Sequence, residues 1–421
     1  MRILLLSNLY PPHAMGGAEI SARDIAAGLT EHGHTVTILT SWYGLQKPRR
    51  EDAIWQTLQY TPPPHLDQQR SKWQQLSLLY QFYKGYHNAA NAQELRRALA
   101  DCQPDVIYLW EVTGLGSNSL IKVLQDLHIP VIFQLGSYWL QYAYSPQTEQ
   151  SHLRLRWLKN LFIGSVPDFT YTSLIAVSET VKQKYIESGC DANRIEIIYN
   201  GIDPVFTDTP RFAQEETVDK NITQLLFVGR VCTEKGILVI CKALDILVNV
   251  QERRDLHLNI FGAGEPGYLK ELRSYLQEKQ LTQVVTFHGK VSQEELIQHY
   301  DRSDIMLIPS LWQEPFGLVV VEAMARGLPI IASRVGGPAE IVTHEKDGLL
   351  VAPDDAQALA EAIERLLTEQ ELRARLAQEA PRTVLERFTI EENVRRVEQH
   401  LLQQVEMATR SKEHADRSVS V

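Results

Sequence analysis

The sequence predicts an α/β protein made of two halves, each with its own parallel sheet. Short apolar runs rich in β-branched residues alternate along the chain with longer segments of helical periodicity, as expected for parallel strands joined by crossover helices. The series stops at a polar stretch, residues 207–223, and then starts again. The length of 421 residues also exceeds what one core usually serves, so two domains are expected.

The first half begins with an apolar strand at residues 2–7. The helical pattern that follows places Ile20, Ile25 and Leu29 on one face, and a β-branched strand at residues 35–40 completes a strand–helix–strand unit. Further strands of this half are predicted at residues 105–109, 130–133, 174–177 and 195–198.

The second half repeats this order and ends in helices. Its strands are predicted at residues 224–228, 256–261, 284–287, 305–308, 329–332 and 348–351. Residues 355–405 have helical spacing of apolar side chains, whereas the chain from Met407 is polar and without periodicity. We therefore expect an N-terminal domain at 1–205, a C-terminal domain at 206–385, a helix at 386–406 that packs back on the first domain, and a flexible tail at 407–421.

Composition limits the classes of function. A hydrophobic content of 44% with 22% charged residues is typical of a globular protein. The apolar N-terminal run is far too short for a signal peptide or a membrane span. Four cysteines without CxxC spacing argue against a disulfide framework or a zinc site and favour the cytosol. A net charge of −10 argues against general nucleic-acid binding.

Two segments depart from the α/β pattern. Residues 47–88 are rich in Gln, Pro, Tyr and Trp, which predicts an insertion. Residues 152–163 interleave the cations Arg154, Arg156 and Lys159 with Leu and Trp, which is typical of a helix on an anionic membrane surface and, more commonly, of an ordinary surface helix. The net charge is −1 over residues 1–205 and −9 over the remainder, so the first half is the relatively basic one.

Glycines and cations follow predicted strands in both halves. Gly16 and Gly17 lie between the first strand and its helix, where backbone amides at a helix N-terminus can approach a phosphate. Glycines that only permit a turn would show the same pattern. Arg230 and Lys235 follow the first strand of the second half and can supply two cations to a diphosphate, although solvated loop cations are common.

Two carboxylates, Glu314 and Glu322, are separated by seven residues. If Gly317 opens a helix between them, the first-turn amides of Leu318 and Val319 are donors for a phosphate. Glu322 then projects one turn further along, where a carboxylate can accept hydrogen bonds from sugar hydroxyls. The alternative is a solvated loop charge and a first-turn carboxylate stabilised by the helix dipole, since this spacing also arises by chance.

In this order, the Gly-Gly loop, the Arg and Lys pair, the E-x7-E pair and Gly336-Gly337-Pro338-Ala339-Glu340 resemble the retaining family 4 glycosyltransferases over about residues 1–400. That family has the GT-B fold, two Rossmann-like domains that face a central cleft. The resemblance implies that the N-terminal domain, residues 1–205, is the acceptor side and that the C-terminal domain, residues 206–385, binds the nucleotide-sugar donor. The resemblance implies a hexosyltransferase whose donor substrate is a UDP- or GDP-linked sugar, without a further cofactor. The acceptor hydroxyl would belong to a glycan, a lipid-linked or a small molecule.

The resemblance also implies roles for individual residues. Arg230, Lys235 and Glu314 are the expected catalytic residues, with the two cations on the diphosphate and Glu314 on a hexose hydroxyl. Glu322 is expected to bind the ribose hydroxyls, and the Gly17 amide to assist from across the cleft. The remaining donor contacts are expected from Gly16, Phe316, Gly317 and Leu318 at the sugar and phosphates, and from Lys290 and Val291 at the base.

Further expectations concern metal, location and the insertion. No Asp-x-Asp follows a strand, so no obligatory divalent metal is expected. A role in polysaccharide biosynthesis in the cytoplasm follows from the resemblance, with or without peripheral contact at the inner membrane face. The insertion at residues 47–88 is expected to shape the acceptor side.

One position departs from the family pattern. Many relatives carry a histidine after the mid-domain strand, where this chain has Gly136. The departure motivates an alternative function, a non-catalytic nucleotide-sugar-binding or scaffold protein of the same fold. A nucleotide-sugar epimerase would leave the two glutamates unexplained, and a glycogen-type phosphorylase lacks an evident lysine for pyridoxal phosphate.

Overall fold

The computed structural model describes residues 1–13, 16–62, 80–81, 83–125, 127–139, 172–207 and 222–419, with side chains in the last helix described through Lys412 and at His414. The chain forms two compact units. Unit one comprises Met1–Tyr199 with Asn393–Val421, and unit two comprises Asn200–Glu392. The division falls after Tyr199, whereas the sequence predicted it after residue 205. The cationic segment 152–163 and nearly all of the expected linker lie outside the described residues.

Unit one is built on an eight-stranded sheet with the order β3-β4-β2-β1-β5-β6-β7-β8. Its strands are β1 (Arg2–Leu6), β2 (Thr35–Ser41), β3 (Arg49–Glu51), β4 (Ile54–Leu58), β5 (Val106–Leu109), β6 (Val131–Leu135), β7 (Ser173–Ala176) and β8 (Ile195–Ile197). Its first helices are α1 (Gly17–Glu31), α2 (Ala89–Cys102), α3 (Ser117–Gln125) and α4 (Glu179–Glu187). The six strands predicted for this half are confirmed to within two residues. Four successive side chains of β1, from Ile3 to Leu6, are buried because the central strand of a parallel sheet is covered on both faces.

The sequence did not predict β3 and β4, which lie in the segment taken as an insertion. β4 pairs in parallel with β2. β3, which precedes β4 in the chain, pairs with β4 in antiparallel fashion and forms the edge of the sheet. The guanidinium of Arg50 lies over the Trp55 ring at 4.4 Å and pairs with Glu94 of α2 at 2.8 Å. These strands were missed because they are short and largely polar, and Leu58 is their only buried apolar side chain.

Unit two is built on a six-stranded parallel sheet with the order β11-β10-β9-β12-β13-β14. Its strands are β9 (Thr223–Val228), β10 (Leu256–Phe261), β11 (Val285–Gly289), β12 (Ile305–Ile308), β13 (Ile330–Ser333) and β14 (Leu349–Val351). Its helices are α5 (Ile237–Asp245), which continues as a π-helical turn at Ile246–Val250, α6 (Pro266–Glu278), α7 (Gln293–Arg302), α8 (Leu318–Ala325), α9 (Gly336–Ile341), α10 (Ala356–Thr368) and α11 (Gln370–Arg387). All six predicted strands are confirmed to within two residues.

In each sheet the strand order reverses beside the first strand of the unit. β1 lies between β2 and β5, and β9 lies between β10 and β12. The loops that leave neighbouring strands there diverge, so a crevice opens at the carboxyl ends of the strands, where α/β sheets bind ligands. Each unit therefore has its own place for a ligand.

The last helix, α12 (Ile390–Val419), begins in unit two and continues on unit one. A Cβ placed on Gly28 of α1 would lie 2.6 Å from Val394 Cγ2, so the two helices approach closely at this glycine. His34 Nε2 and Glu398 Oε1, 2.6 Å apart, add a polar contact.

The expectation of a loose tail from Met407 is wrong, because α12 runs without a break to Val419. Polar residues there make a solvated helix, in which Glu406 and Arg410 pair one turn apart at 3.7 Å. Within the described ranges, no helix combines the length and the hydrophobicity that a membrane span requires.

Candidate functional site

The loops after β9 and β10 pack directly on each other in unit two. The Gly229 N–H donates a hydrogen bond of 3.0 Å to Phe261 O, and Gly262 has a φ of +138°. A Cβ on Gly262 would lie 1.8 Å from Gly229 O, so only glycine permits this approach. Arg230 follows Gly229 and is exposed at the carboxyl end of β9.

Lys235 ends a short 3-10 turn (Thr233–Lys235), directly before α5. Gly236 joins the two with a φ of +71°, and a Cβ there would lie 1.9 Å from Pro309 O. The turn is therefore held against the loop that follows β12. The Leu311 N–H donates a further hydrogen bond of 2.8 Å to Glu234 O.

This packing brings Lys235 and Glu314 together as an ion pair. Ser310 Oγ donates a hydrogen bond of 2.8 Å to the same carboxylate oxygen, Oε1. The side chain of Lys235 is 19% exposed and that of Glu314 is 9% exposed, so the pair is largely shielded from water. The backbone is fixed as well, because the Gly337 N–H donates 2.8 Å to Glu314 O.

Gly317 begins α8 in the left-handed region, with a φ of +105°. The preceding Phe316 is buried and packs edge-to-face on Phe388, with ring centroids 5.8 Å apart. The helix therefore starts as predicted, and the amides of Leu318 and Val319 belong to its first turn, where N–H groups have no acceptor within the helix. Such an end attracts anions.

Glu322 lies one turn further along α8. Tyr300 of α7 donates a hydrogen bond of 2.7 Å to Glu322 Oε2, and this tyrosine is fully buried. Burial raises the pKa of the Glu322 carboxyl to about 7, and the charge of Asp203 acts in the same direction. Tyr300 was not predicted as a partner of Glu322, because in the sequence it is only an aromatic residue at helical spacing.

Lys290 and Val291 follow β11, and Lys290 is exposed. The Gly262 N–H donates a hydrogen bond of 2.8 Å to Gly289 O, which ties this loop to the loops after β10 and β9. His288 stacks on Phe261 with centroids 4.3 Å apart, a contact that was not predicted. The residues predicted to bind the base follow β11 and those predicted to bind the diphosphate follow β9, on the two sides of β10 and at the carboxyl end of the unit-two sheet.

Gly16 and Gly17 belong to unit one. The Gly16 N–H donates a hydrogen bond of 2.9 Å to Glu19 Oε2, so a carboxylate of the chain itself occupies this amide. Gly17 is the first residue of α1. The phosphate contact expected from the Gly17 amide stays a prediction, as does membrane contact by Arg154, Arg156 and Lys159, which lie outside the described residues.

Gly136 follows β6 at the carboxyl edge of unit one. Among the described residues, a Cβ added to it would meet only Ala18 Cβ within 4 Å, at 3.9 Å. The neighbouring Ser137 donates a hydrogen bond to the carboxyl of Glu111, a residue that was not predicted as part of a site. Its position just after β5 was an available signal, since side chains at the carboxyl ends of parallel strands are favoured ligand contacts.

Two family models match the chain in succession. "Glycosyltransferase Family 4" matches residues 15–206, and "Glycosyl transferases group 1" matches residues 208–383. An uncharacterized glycosyltransferase from Methanocaldococcus jannaschii is 27% identical over 412 residues, which cover 92% of this chain and 95% of the relative.

Solved structures agree in fold. Sucrose-phosphate synthase from Thermosynechococcus elongatus superimposes with a TM-score of 0.71 at 22% identity, covering 96% of this chain and 98% of the other. Anabaena HepE in complex with UDP-glucose gives a TM-score of 0.63 at 21% identity, covering 96% of this chain and all (100%) of the other. With two parallel-sheet α/β units and two family models that together account for most of its length, the chain is a GT-B glycosyltransferase of family 4, of the group 1 type.

Proposed function

We propose that the protein is a retaining glycosyltransferase that moves a hexosyl group from a UDP- or GDP-linked sugar to an acceptor hydroxyl. The acceptor hydroxyl belongs to a glycan, a lipid or a small molecule. The observation that carries the proposal is the ion pair of Lys235 with Glu314, close in the chain to the N-terminus of α8. A cation, first-turn amides and two carboxylates are thereby fixed at the carboxyl end of the sheet of unit two.

The diphosphate is assigned to the positive groups at this end of the sheet. Arg230 offers a planar guanidinium, Lys235 an ammonium group, and Leu318 and Val319 offer amides at a helix N-terminus. In the transfer, the bond between the anomeric carbon and the phosphate oxygen breaks, and negative charge develops on the leaving diphosphate. Fixed donors aimed at such charge commonly contribute ~10²–10³ in rate each.

The two carboxylates are assigned to hydroxyl recognition, Glu314 on the hexose and Glu322 on the ribose. Both lie on packed backbone rather than on free loops, because Gly337 holds the Glu314 carbonyl and Tyr300 holds the Glu322 side chain. The base is assigned to Lys290 and Val291. The UDP-glucose complex of HepE supports a UDP-sugar as the first donor to test.

Retention of the anomeric configuration is expected if the acceptor oxygen attacks the anomeric carbon from the same face that the diphosphate leaves. The acceptor oxygen bonds to the anomeric carbon, and its proton passes to the leaving phosphate oxygen. No side chain of the chain is then needed as a nucleophile, and positioning supplies much of the rate. With Arg230, Lys235 and amides on the diphosphate, transfer is proposed to need no divalent metal.

The alternative, a nucleotide-sugar-binding scaffold, is favoured by one observation only, the absence of a side chain at Gly136. Radiolabelled UDP- and GDP-hexoses, incubated with a chelator and a panel of acceptors, separate the two. We expect transfer or slow hydrolysis, and NMR of the product should show the anomeric configuration of the donor.

Lys235→Met should abolish this turnover. Lys346→Met should leave turnover unchanged, because it removes an exposed cation just before β14, at the amino end of the strands and not at their carboxyl end. Donor binding without transfer or hydrolysis would favour the scaffold, and an inverted product would contradict retention.

A further inference from the structure

Unit one has a switch point of its own. β1 is the central strand there, with β2 on one side and β5 on the other. The loops after β1 and β5 are joined by a hydrogen bond of 2.7 Å from the Asn8 N–H to Glu111 O. Glu111 therefore stands at the place in the sheet where α/β units bind ligands.

The carboxyl group of Glu111 is held by two hydroxyls. Ser137 Oγ donates 3.1 Å to Glu111 Oε2, and Thr113 Oγ1 donates to Oε1. Among the described side chains, no cation pairs with Glu111. Burial raises the pKa of Glu111 to about 7, and the charge of Glu19 in α1 acts in the same direction. A half-buried carboxyl without a cation is costly to ionise and contributes little to the fold.

Space remains beside this carboxyl. Gly136 directly precedes Ser137, and its φ is not in the left-handed region, so the backbone does not require a glycine. A Cβ at Gly136 would be 3.9 Å from Ala18 Cβ, which is ordinary contact, and would meet no other described atom within 4 Å. The described residues therefore leave room between the start of α1 and Ser137.

Aromatic rings border the same place. Tyr60 and Tyr43 meet edge-to-face with centroids 5.3 Å apart, and Tyr43 is 43% exposed. A Cβ added to Gly114 would lie 2.7 Å from Tyr60 Cε2, so Tyr60 packs on the loop that follows β5 and carries Glu111. Burial raises the pKa of the Tyr60 phenol, and the charges of Glu111 and Glu19 act in the same direction. An exposed ring and a half-buried carboxyl at the same end of the sheet suit a ligand with apolar C–H faces and hydroxyl edges, such as a sugar ring.

We propose that Glu111 binds a hydroxyl of the acceptor and that Tyr43 packs on its ring, so that the acceptor presents a sugar ring to unit one. Glu111 accepts a hydrogen bond from a hydroxyl next to the attacking one, which orients the acceptor without taking its proton. This inference rests on the proposed transferase function and narrows its acceptor to a saccharide, free or lipid-linked.

Saturation-transfer NMR with UDP present tests it, using methyl glycosides of glucose, galactose, mannose and N-acetylglucosamine. At least one should bind, and Glu111→Gln should weaken its binding at least about tenfold, as expected when a hydrogen bond to a charged group is lost. Tyr43→Ala should weaken it as well, because the sugar loses the aromatic surface on which it packs. Glu31→Gln, an exposed carboxylate at the other end of α1, is the matched control and should leave it unchanged.

Acidity gives a readout that a purely structural role would not move. The groups that face Glu111 among the described residues are Glu19, Tyr60, Thr113 and Ser137. Glycoside affinity should fall as the pH drops through about 7, because the protonated carboxyl is a poorer acceptor. Glu111→Gln should remove this dependence. Ser137→Ala should move it to higher pH, since the Ser137 hydroxyl holds the pKa of Glu111 down.

Octyl glycosides separate the two sources of a saccharide. Equal binding of methyl and octyl forms would show that the ring carries recognition. Tighter binding of the octyl forms that both variants weaken would indicate a lipid-linked saccharide. Binding of no glycoside, or binding insensitive to both Glu111→Gln and Tyr43→Ala, would overturn the inference. UDP affinity should be the same in the wild type and in both variants. If the wild type does not bind UDP at all, the proposed function fails, whatever the result with the glycosides.

Discussion

The ammonium group of Lys235 forms an ion pair with the Glu314 carboxylate, and Ser310 Oγ donates 2.8 Å to the same oxygen. Without ligand, the cation assigned to the diphosphate is therefore neutralised by the carboxylate assigned to the hexose. A diphosphate must share Lys235 with Glu314, while the hexose hydroxyl gains a carboxylate that is already fixed in place.

Glu314→Gln should strengthen the binding of nucleotide alone and weaken transfer. Replacement removes a negative charge beside the diphosphate and releases Lys235, so calorimetry should show UDP or GDP affinity raised severalfold. Turnover of the nucleotide sugar should fall by ~10²–10³, the size of loss typical for one fixed group at a reacting centre. Weaker nucleotide binding in the variant would contradict the assignment of Glu314 to the sugar.

Nucleotide affinity should rise with pH through the pKa of Glu322, which is about 7. Ribose hydroxyls donate to the ionised carboxylate, so binding lowers its pKa and is favoured above that value. The phosphate also ionises in this range, and Glu322→Gln separates the two effects. The variant should bind the nucleotide more weakly at pH 8, and the pH dependence that remains should be that of phosphate ionisation alone. An unchanged pH profile in Glu322→Gln would contradict the ribose role.

Glu111→Gln should stabilise the protein at pH 8. The folded pKa, about 7, lies above the unfolded value near 4.5, so the folded state binds the extra proton and its stability falls as the pH rises between these values. The neutral amide removes this cost. Thermal unfolding should show a higher Tm for the variant at pH 8 and no difference near pH 4.5. Glu31→Gln should show neither effect, and a destabilised Glu111→Gln at pH 8 would refute the prediction.

A nucleoside diphosphate should stabilise the protein in the presence of a chelator. Arg230, Lys235 and the first-turn amides of α8 supply positive groups without a metal, and ligand at ~100 times its Kd adds ~2.7 kcal/mol to stability. Thermal unfolding with UDP and with GDP, each with and without added magnesium, measures this. A shift that appears only with magnesium would show that the cations of the chain do not suffice.

The strands and the donor loops could be predicted because local patterns determine them. Apolar β-branched runs mark buried parallel strands, and Gly317 marks the start of α8. The partners of the carboxylates could not be predicted, since Tyr300 and Glu322 lie on helices separated by β12, and Ser137 reaches Glu111 from the loop that follows β6. Such contacts depend on tertiary packing, which periodicity does not encode.

The edge strands and the end of α12 were missed for a different reason. β3 and β4 carry few buried apolar side chains, and the described side chains of α12 from Met407 to Lys412 are mostly polar and exposed. Neither segment shows the burial pattern on which a prediction from periodicity depends.

Calorimetry of UDP and GDP binding tests the donor site most directly, with the wild type, Arg230→Ala/Lys235→Met and Lys346→Met compared in chelator. We expect saturable binding of at least one nucleotide to the wild type and to Lys346→Met, and a loss of at least about a hundredfold in the double variant, since each charge-assisted contact contributes roughly 1.5–3 kcal/mol. Binding of neither nucleotide, or equal binding by all three proteins, would contradict the assignment of the donor diphosphate to the carboxyl end of the sheet of unit two.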